Sequence, residues 1–527
     1  MTKTPLLLVI ALGITVTLAI ALGITTTSAT DHAGLDRFEH RAIAWHTCQT
    51  GPGDQAGAQL DAVGAKCGTV TVPLDYRDPG GRTISVAVAW RPATDAARRL
   101  GTLVVNTGGP GPSLDGVTVI AKGDPGLAPH GAPALAARYN LVGIDPRFFG
   151  LSTPLECGWP TDLALHFTQF ATPDRRSFDA SVTISRNLAS RCAKYAGRLP
   201  FASTRDIARD MDLVRAALGV QKISYLGWSY GTYLGAVYLQ MFPSRVNRIV
   251  LDSALDPNTY GPGLTRNLAP ADAAALRDWA GWAARRDGHY GLGDTADAVL
   301  DTVHRIIDVA TRHPLQVGGY KIDATMLPGM LLTVEDTDAA YAEFTAKVRV
   351  LRDAANGLPA TPTGDYKALL ALYADPNVLP QLNVSATTAN QCADRAASRD
   401  PETYYRDIQD HLAAEPFYGP LFRHITPCAF WPISPIERPT TISNDHPALI
   451  VGATGDPAAP YPGQLVMHQA LRGSRMIALD NAFQHGVFLE AGNTCVDATV
   501  ENYLLAGALP SRDLTCHRAG PRPPRTR

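Results

Sequence analysis

The sequence predicts an α/β protein: a mostly parallel sheet flanked by helices and split by a large inserted helical cap. Three observations carry this. Short apolar, β-prone runs alternate with segments of helical spacing between residues 68 and 257. The alternation lapses over 258–443, which is Ala-rich with helical periodicity. It returns at 446–453 and 474–480, each run followed by a loop and a helix-like segment. Strands separated by helices imply parallel pairing with helices on both faces, and the lapse marks an insertion.

The chain begins MTKTPLLLVIALGITVTLAIALGITTTSATD. Lys3 supplies a positive start, Leu6 to Ile24 is apolar, and Thr27-Ser28-Ala29 offers small residues for cleavage. This has the form of a secretory signal peptide over 1–29, with the mature chain starting near Thr30. The apolar run is also about the length that spans a bilayer, so a retained anchor is the competing reading. No other segment is apolar enough to span a membrane, and a secreted protein, extracellular or cell-wall associated, is expected.

Composition narrows the class. Across 527 residues, 45% are hydrophobic and 18% charged, as in ordinary globular proteins. The formal net charge of −2 offers no electrostatic footprint for nucleic acid. Eight cysteines, an even number in an exported chain, suggest disulfides. Pairing between sequence neighbours is the simplest of many arrangements: Cys48 with Cys67, Cys157 with Cys192, Cys392 with Cys428, and Cys495 with Cys516. No CxxC or HExxH run occurs, so neither a metal nor a cofactor is expected.

Residues 68–76 and 83–91 alternate in the β manner around the turn DPGGR and read as antiparallel strands. Leu103 to Asn106 reads as a buried strand running into the loop Thr107-Gly108-Gly109-Pro110-Gly111-Pro112-Ser113. Another strand, 140–145, precedes the turn PRFFG, and a helix over 205–218 stops at Gly219. The cap shows helical spacing at 271–286, 294–312, 337–355 and 402–414, with no clear buried strand. The core therefore spans 30–257 and 444–516, the cap 258–443, and a flexible tail 517–527.

Between the helix and the strand 248–257 lies KISYLGWSYGTYLGA, residues 222–236. An apolar strand meets a Gly-x-Ser-x-Gly turn and then a helix, the context in which a serine becomes a nucleophile. Ser229 needs a base to take its proton. In the α/β-hydrolase arrangement an acid and then a histidine follow, at the ends of later strands. Asp456 ends the strand LIVGATG, and His485 follows the last strand in NAFQHG. Asp445 is a rival acid but precedes its strand. The oxyanion donors are expected from the Tyr230 amide and from Gly108 or Gly109, where the backbone must approach the substrate carbonyl closely.

VPLDY, NTGGPGPS, DPRFFGLS, ARDMDLVRAALG, GWSYGTYLGAVYLQMFPSRVNRIVLDSALDP, ANQCAD, CAFWP, GDPAAPY and QHG occur in this order. Together they resemble the secreted tripeptidyl aminopeptidase and prolyl aminopeptidase-like serine hydrolases of actinomycetes, whose C-terminal region is TAP-like. The resemblance covers about residues 40–516. It implies an α/β-hydrolase fold with a helical cap, the triad Ser229, Asp456 and His485, and release of short peptides from free N-termini. Two departures stand out: Pro112 replaces a glycine of the family's GGPGGS loop, and Phe148 replaces the glycine of its RGxG turn. Both are expected near the site entrance. Relatives of this kind also act as esterases, lactone hydrolases or natural-product tailoring enzymes, so a peptide or a small ester or amide is the expected partner. A free α-amine calls for a carboxylate in the cap. Glu335, Asp336 and Asp338 in TVEDTD are the candidates, with Asp394 a further one.

Overall fold

The computed structural model describes residues 34–124, 128–374 and 384–518. The expected signal peptide, and residues 519–527 of the expected tail, lie outside the described residues. Strands β1 (Lys66–Pro73), β2 (Thr83–Arg91), β3 (Gly101–Asn106), β4 (Tyr139–Ile144), β5 (Ile223–Trp228) and β6 (Val246–Asp252) come first. After the cap hairpin β7 (Leu315–Val317) and β8 (Tyr320–Ile322) follow β9 (Ala448–Ala453), β10 (Ser474–Asp480) and β11 (Leu514–His517). The main sheet has nine strands in the order β1-β2-β4-β3-β5-β6-β9-β10-β11. β1 pairs antiparallel with β2, and β2 with β4; the remaining pairs are parallel.

All six residues of β5 and all six of β9 are buried. Helices cover both faces of these strands, so their sequences read as unbroken apolar runs rather than alternating ones. The helix Thr204–Ala217 starts where Ser203 Oγ accepts the Asp206 N–H and packs its apolar stripe of Ile207, Met211 and Val214 inward.

Between β6 and β9 the helices Ala269–Ala284, Ala296–Arg312 and Asp338–Ala355 share a separate core containing Trp279, Val303 and Leu351. Threonine side chains cap two of them, Thr295 toward Ala298 and Thr337 toward Ala340. Fully burying an aliphatic core residue such as Val303 or Leu351 contributes about 1.5–3 kcal/mol. The β7–β8 hairpin lies within this region, where the sequence predicts no buried strand; three-residue strands are too short to give a period. Residues 514–517 form edge strand β11 beside β10, and Arg518 is tied to the cap through Asp278 and Asp336. Ordered chain therefore reaches into the segment expected to be a tail.

The four disulfides join Cys48–Cys67, Cys157–Cys192, Cys392–Cys428 and Cys495–Cys516, the sequence-neighbour pairing.

The turn after β4 carries a buried ion pair. Arg147 is fully enclosed, binds Asp210 through two nitrogens at 2.7 and 2.6 Å, and donates to the carbonyls of Pro73, Leu74 and Phe201. Tyr76 donates to the same Asp210 carboxylate at 2.7 Å. Truncating Arg147 leaves that carboxylate buried without its counter-ion. Arg147→Ala is expected to lower unfolding stability by about 3–5 kcal/mol, read from the denaturant midpoint.

Candidate active site

The expected site residues gather at the carboxyl ends of β5, β9 and β10, where ligands of open α/β sheets bind. β5 ends at Trp228, Ser229 takes φ +52° and ψ −119°, and the helix Tyr230–Met241 begins at once. A positive φ is strained for a residue with a Cβ, and neighbours hold it. The Ser229 N–H donates to the Asp252 carbonyl at 2.9 Å, and Thr232 donates to the Ser229 carbonyl through its N–H (2.9 Å) and hydroxyl (2.6 Å). A Cβ on Gly227 would lie 2.6 Å from the Gly231 carbonyl, and one on Gly231 would lie 2.6 Å from Asn106 Oδ1. Both glycines are required for this turn to close.

The loop after β3 lies against Ser229. Gly108 and Gly109 have φ of +101° and +106°, and a Cβ on Gly108 would sit 3.2 Å from Ser229 Cβ. The Gly108 N–H donates to Asn106 Oδ1 at 3.1 Å. Of the expected donors this leaves the Gly109 amide and the Tyr230 amide, the latter at a helix N-terminus with no carbonyl one turn back. Pro112 is exposed on this loop. Phe148, by contrast, is 2% exposed and packed in the core beneath the sheet, not at an entrance. Its side chain reads from sequence as a bulky substitution in a site loop, whereas the left-handed backbone (φ +76°) turns it inward.

His485 Nδ1 lies 3.0 Å from both carboxylate oxygens of Asp456. Asp456 is fully buried and also accepts the Ala458 and Ala459 N–H groups at 2.9 and 2.8 Å. These bonds fix the carboxylate, which in turn fixes the imidazole with its Nδ1 toward the acid. The histidine loop is clamped from two sides. From the cap, Val334 accepts the His485 N–H (2.8 Å) and Asp336 accepts the Phe483 N–H (2.7 Å). From the core, Asp252 and Ser253 bind the amides of residues 486–488.

The acidic cluster in TVEDTD separates. Asp336 pairs with Arg518 at 2.9 Å, and Asp338 accepts from Trp282 Nε1 (2.5 Å) and Arg286 (3.1 Å). Asp394 is spent on the Thr204 N–H and hydroxyl. Glu335 alone of these keeps a carboxylate without hydrogen bond or counter-ion among the described residues, and it lines a cap cleft of about 450 Å³. Two carboxylates outside the sequence-expected set, Glu490 and Asp272, share this state. Glu490 packs against Gly486, where a Cβ would fall 2.1 Å from its Oε2. Asp272 is 4% exposed in the first turn of Ala269–Ala284, whose residues Pro270 and Ala271 line a cleft with Gly455 and Asp456. No sequence signal separates Asp272 from an ordinary helix-start acid. The position of Glu490, five residues beyond His485, was the one usable hint.

A profile described as alpha/beta hydrolase fold matches residues 101–321, and one described as TAP-like protein matches residues 415–516. The tripeptidyl aminopeptidase of Streptomyces coelicolor is 34% identical over 480 residues, covering 87% of this chain and 84% of that protein. The chain belongs to the tripeptidyl aminopeptidase-like serine hydrolases. Other relatives in this group are serine protease Hip1 of Mycobacterium tuberculosis, 29% identical over 86% of this chain and 87% of that protein, and carboxylesterase B of the same species, 32% identical over 90% and 89%. Membership makes the protein a serine hydrolase of the peptidase kind with an α/β-hydrolase fold.

In this tripeptidyl aminopeptidase-like chain, charge is distributed unevenly around His485. Burial works against the imidazolium, but the charge and hydrogen bond of Asp456, with the charge of Asp252, outweigh it and raise the imidazole pKa above the ordinary 6.5. Only the neutral ring accepts a proton. As pH falls through that raised value, kcat/KM is therefore expected to fall along an acid limb whose midpoint lies above 6.5. A pH–rate profile with the limb at or below the ordinary histidine value would contradict this.

Proposed function

We propose that the protein is an exported aminopeptidase that releases short peptides from free N-termini through an acyl-enzyme on Ser229. His485 takes the Ser229 proton, the hydroxyl oxygen attacks the amide carbonyl, and the Gly109 and Tyr230 amides receive the developing oxyanion. His485 then protonates the leaving amine, and water releases the acyl group by the same route reversed. Asp456 holds the ring in the required tautomer and stabilises the imidazolium. Export is supported by four disulfides, which persist in oxidising compartments.

The observation that carries the choice of a free N-terminus is the set of unpaired carboxyl groups around the histidine loop. Burial, then the Asp456 charge, pushes Asp272 up to about 8. Burial, then the charges of Asp252, Glu335 and Asp456, pushes Glu490 up to about 9. Glu335 is raised by burial and by Asp336 and Asp365. Glu335 is exposed, whereas Asp272 is buried and Glu490 half-buried; carboxyls withdrawn from water with no cation beside them are costly when ionised, and an incoming α-ammonium supplies the missing charge. Arrangement of this kind favours substrates that carry their own cation.

Kinetics of tripeptidyl anilides with free and with N-acetylated termini test this. The free amine is expected to give at least a tenfold higher kcat/KM, and Glu490→Gln to narrow the ratio. Equal rates for the two would remove the amine anchor. A second reading, hydrolysis of small esters, is favoured by the carboxylesterase B relative at 32% identity. It predicts that ester turnover exceeds anilide turnover and ignores the amine.

A further inference from the structure

We infer that Asp252, at the end of β6, is a positioning residue that sets the nucleophile elbow and the histidine loop in one register. The inference rests on the serine-hydrolase chemistry assigned to Ser229 and His485. Asp252 is fully buried and meets both catalytic loops with different atoms. Its backbone carbonyl accepts the Ser229 N–H at 2.9 Å, on the strained residue itself. Its carboxylate accepts the Phe488 N–H at 2.7 Å and the Val487 N–H at 3.1 Å, the amides that follow His485 and Gly486. Ser253, itself at φ +56°, donates to the same carboxylate at 3.1 Å and accepts the Gly486 N–H at 2.8 Å. Three successive amides of the histidine loop thus end on two adjacent residues, and one of those residues holds the serine.

The sheet makes this anchor rigid. Asp252 pairs with Trp228 on one side and with Val451 of β9 on the other, and the Ser253 N–H is bonded to Val451. The rings of Trp228 and Phe488 stack at 6.4 Å, joining the residue before the serine to a residue of the histidine loop. Asp456 orients the imidazole about its own bonds; it does not fix how far the ring stands from Ser229. That separation is set by where residues 485–488 sit relative to 229, and Asp252 is the residue bonded to both. A displacement of about 1 Å in such a pair lowers rates about 10²-fold.

Asp252→Asn keeps size and shape but turns one acceptor into an N–H₂ group: at the Oδ2 position that group faces the Phe488 N–H, and at the Oδ1 position it leaves the Val487 N–H only its longer 3.3 Å bond to the remaining oxygen. The test measures kcat per active site titrated with a fluorophosphonate, on both a tripeptidyl anilide and a p-nitrophenyl ester, for Asp252→Asn and for the milder Ser253→Ala. The expected result is a fall in kcat per titrated site of about 10²-fold for Asp252→Asn, and a smaller fall for Ser253→Ala. Both falls should appear on both substrates, with KM within threefold of wild type. If Asp252 only supports the fold, the fraction of titratable protein and the melting temperature drop while kcat per titrated site stays within threefold. That outcome, or a loss confined to KM, overturns the inference. A wild-type enzyme that cleaves the ester but not the anilide would count against the aminopeptidase reading alone, because the Asp252 comparison is still made on the ester.

Discussion

Ser229→Ala is expected to lower kcat by about 10⁶-fold on any amide substrate. The substitution deletes one oxygen and leaves the Cβ, so the strained φ of +52° and its three backbone bonds persist. Without the oxygen, His485 has no proton to take and no covalent intermediate forms. Some acceleration over water is expected to survive, because the proposed oxyanion donors, the amides of Gly109 and Tyr230, are left in place. Initial rates at high enzyme concentration measure the loss, and an unchanged melting curve establishes that the fold is intact. Retention of more than one per cent of the wild-type rate would remove Ser229 from the nucleophile role.

Asp456→Asn is the second large effect, a loss in kcat of about 10⁴-fold. The amide keeps one oxygen for the Ala458 and Ala459 N–H groups, which bind the same Oδ1 in the native protein. That directs the N–H₂ group toward His485 Nδ1, which then becomes an acceptor and leaves the proton on Nε2, the nitrogen that must receive the serine proton. Binding surfaces are untouched, so KM is expected to stay within a few-fold. A kcat within tenfold of wild type would show that another group orients the ring.

Much of this site was legible in the chain because order and period carry it. The strand–GxSxG–helix sequence placed Ser229, and the two apolar runs after the cap placed Asp456 and His485 at strand ends where the structure has them. The expected cap helices fall within a few residues of Ala269–Ala284, Ala296–Arg312, Asp338–Ala355 and Pro401–His411. What the chain did not disclose depends on tertiary neighbours. TVEDTD reads as one acidic patch, but Asp336 and Asp338 meet arginines brought in from residues 518 and 286, and only Glu335 is left unpaired. Phe148 reads as a pocket residue because its motif neighbours a site loop; its side-chain direction depends on a backbone torsion that the sequence does not print. Asp252 and Glu490 become notable only when β6 and β10 lie within one residue's reach of the same loop. β11 escaped because a four-residue edge strand with one buried position has no period to detect.

The central claim is that one serine, Ser229, carries the acyl group. Treating the protein with a fluorophosphonate and mapping the adduct by peptide mass spectrometry tests it most directly. The expected result is a single adduct on the peptide containing Ser229, with hydrolysis lost in step with labelling and slowed by tripeptides bearing a free amine. An adduct on a different serine, such as Ser253, or hydrolysis that continues after Ser229 is fully modified, would contradict it.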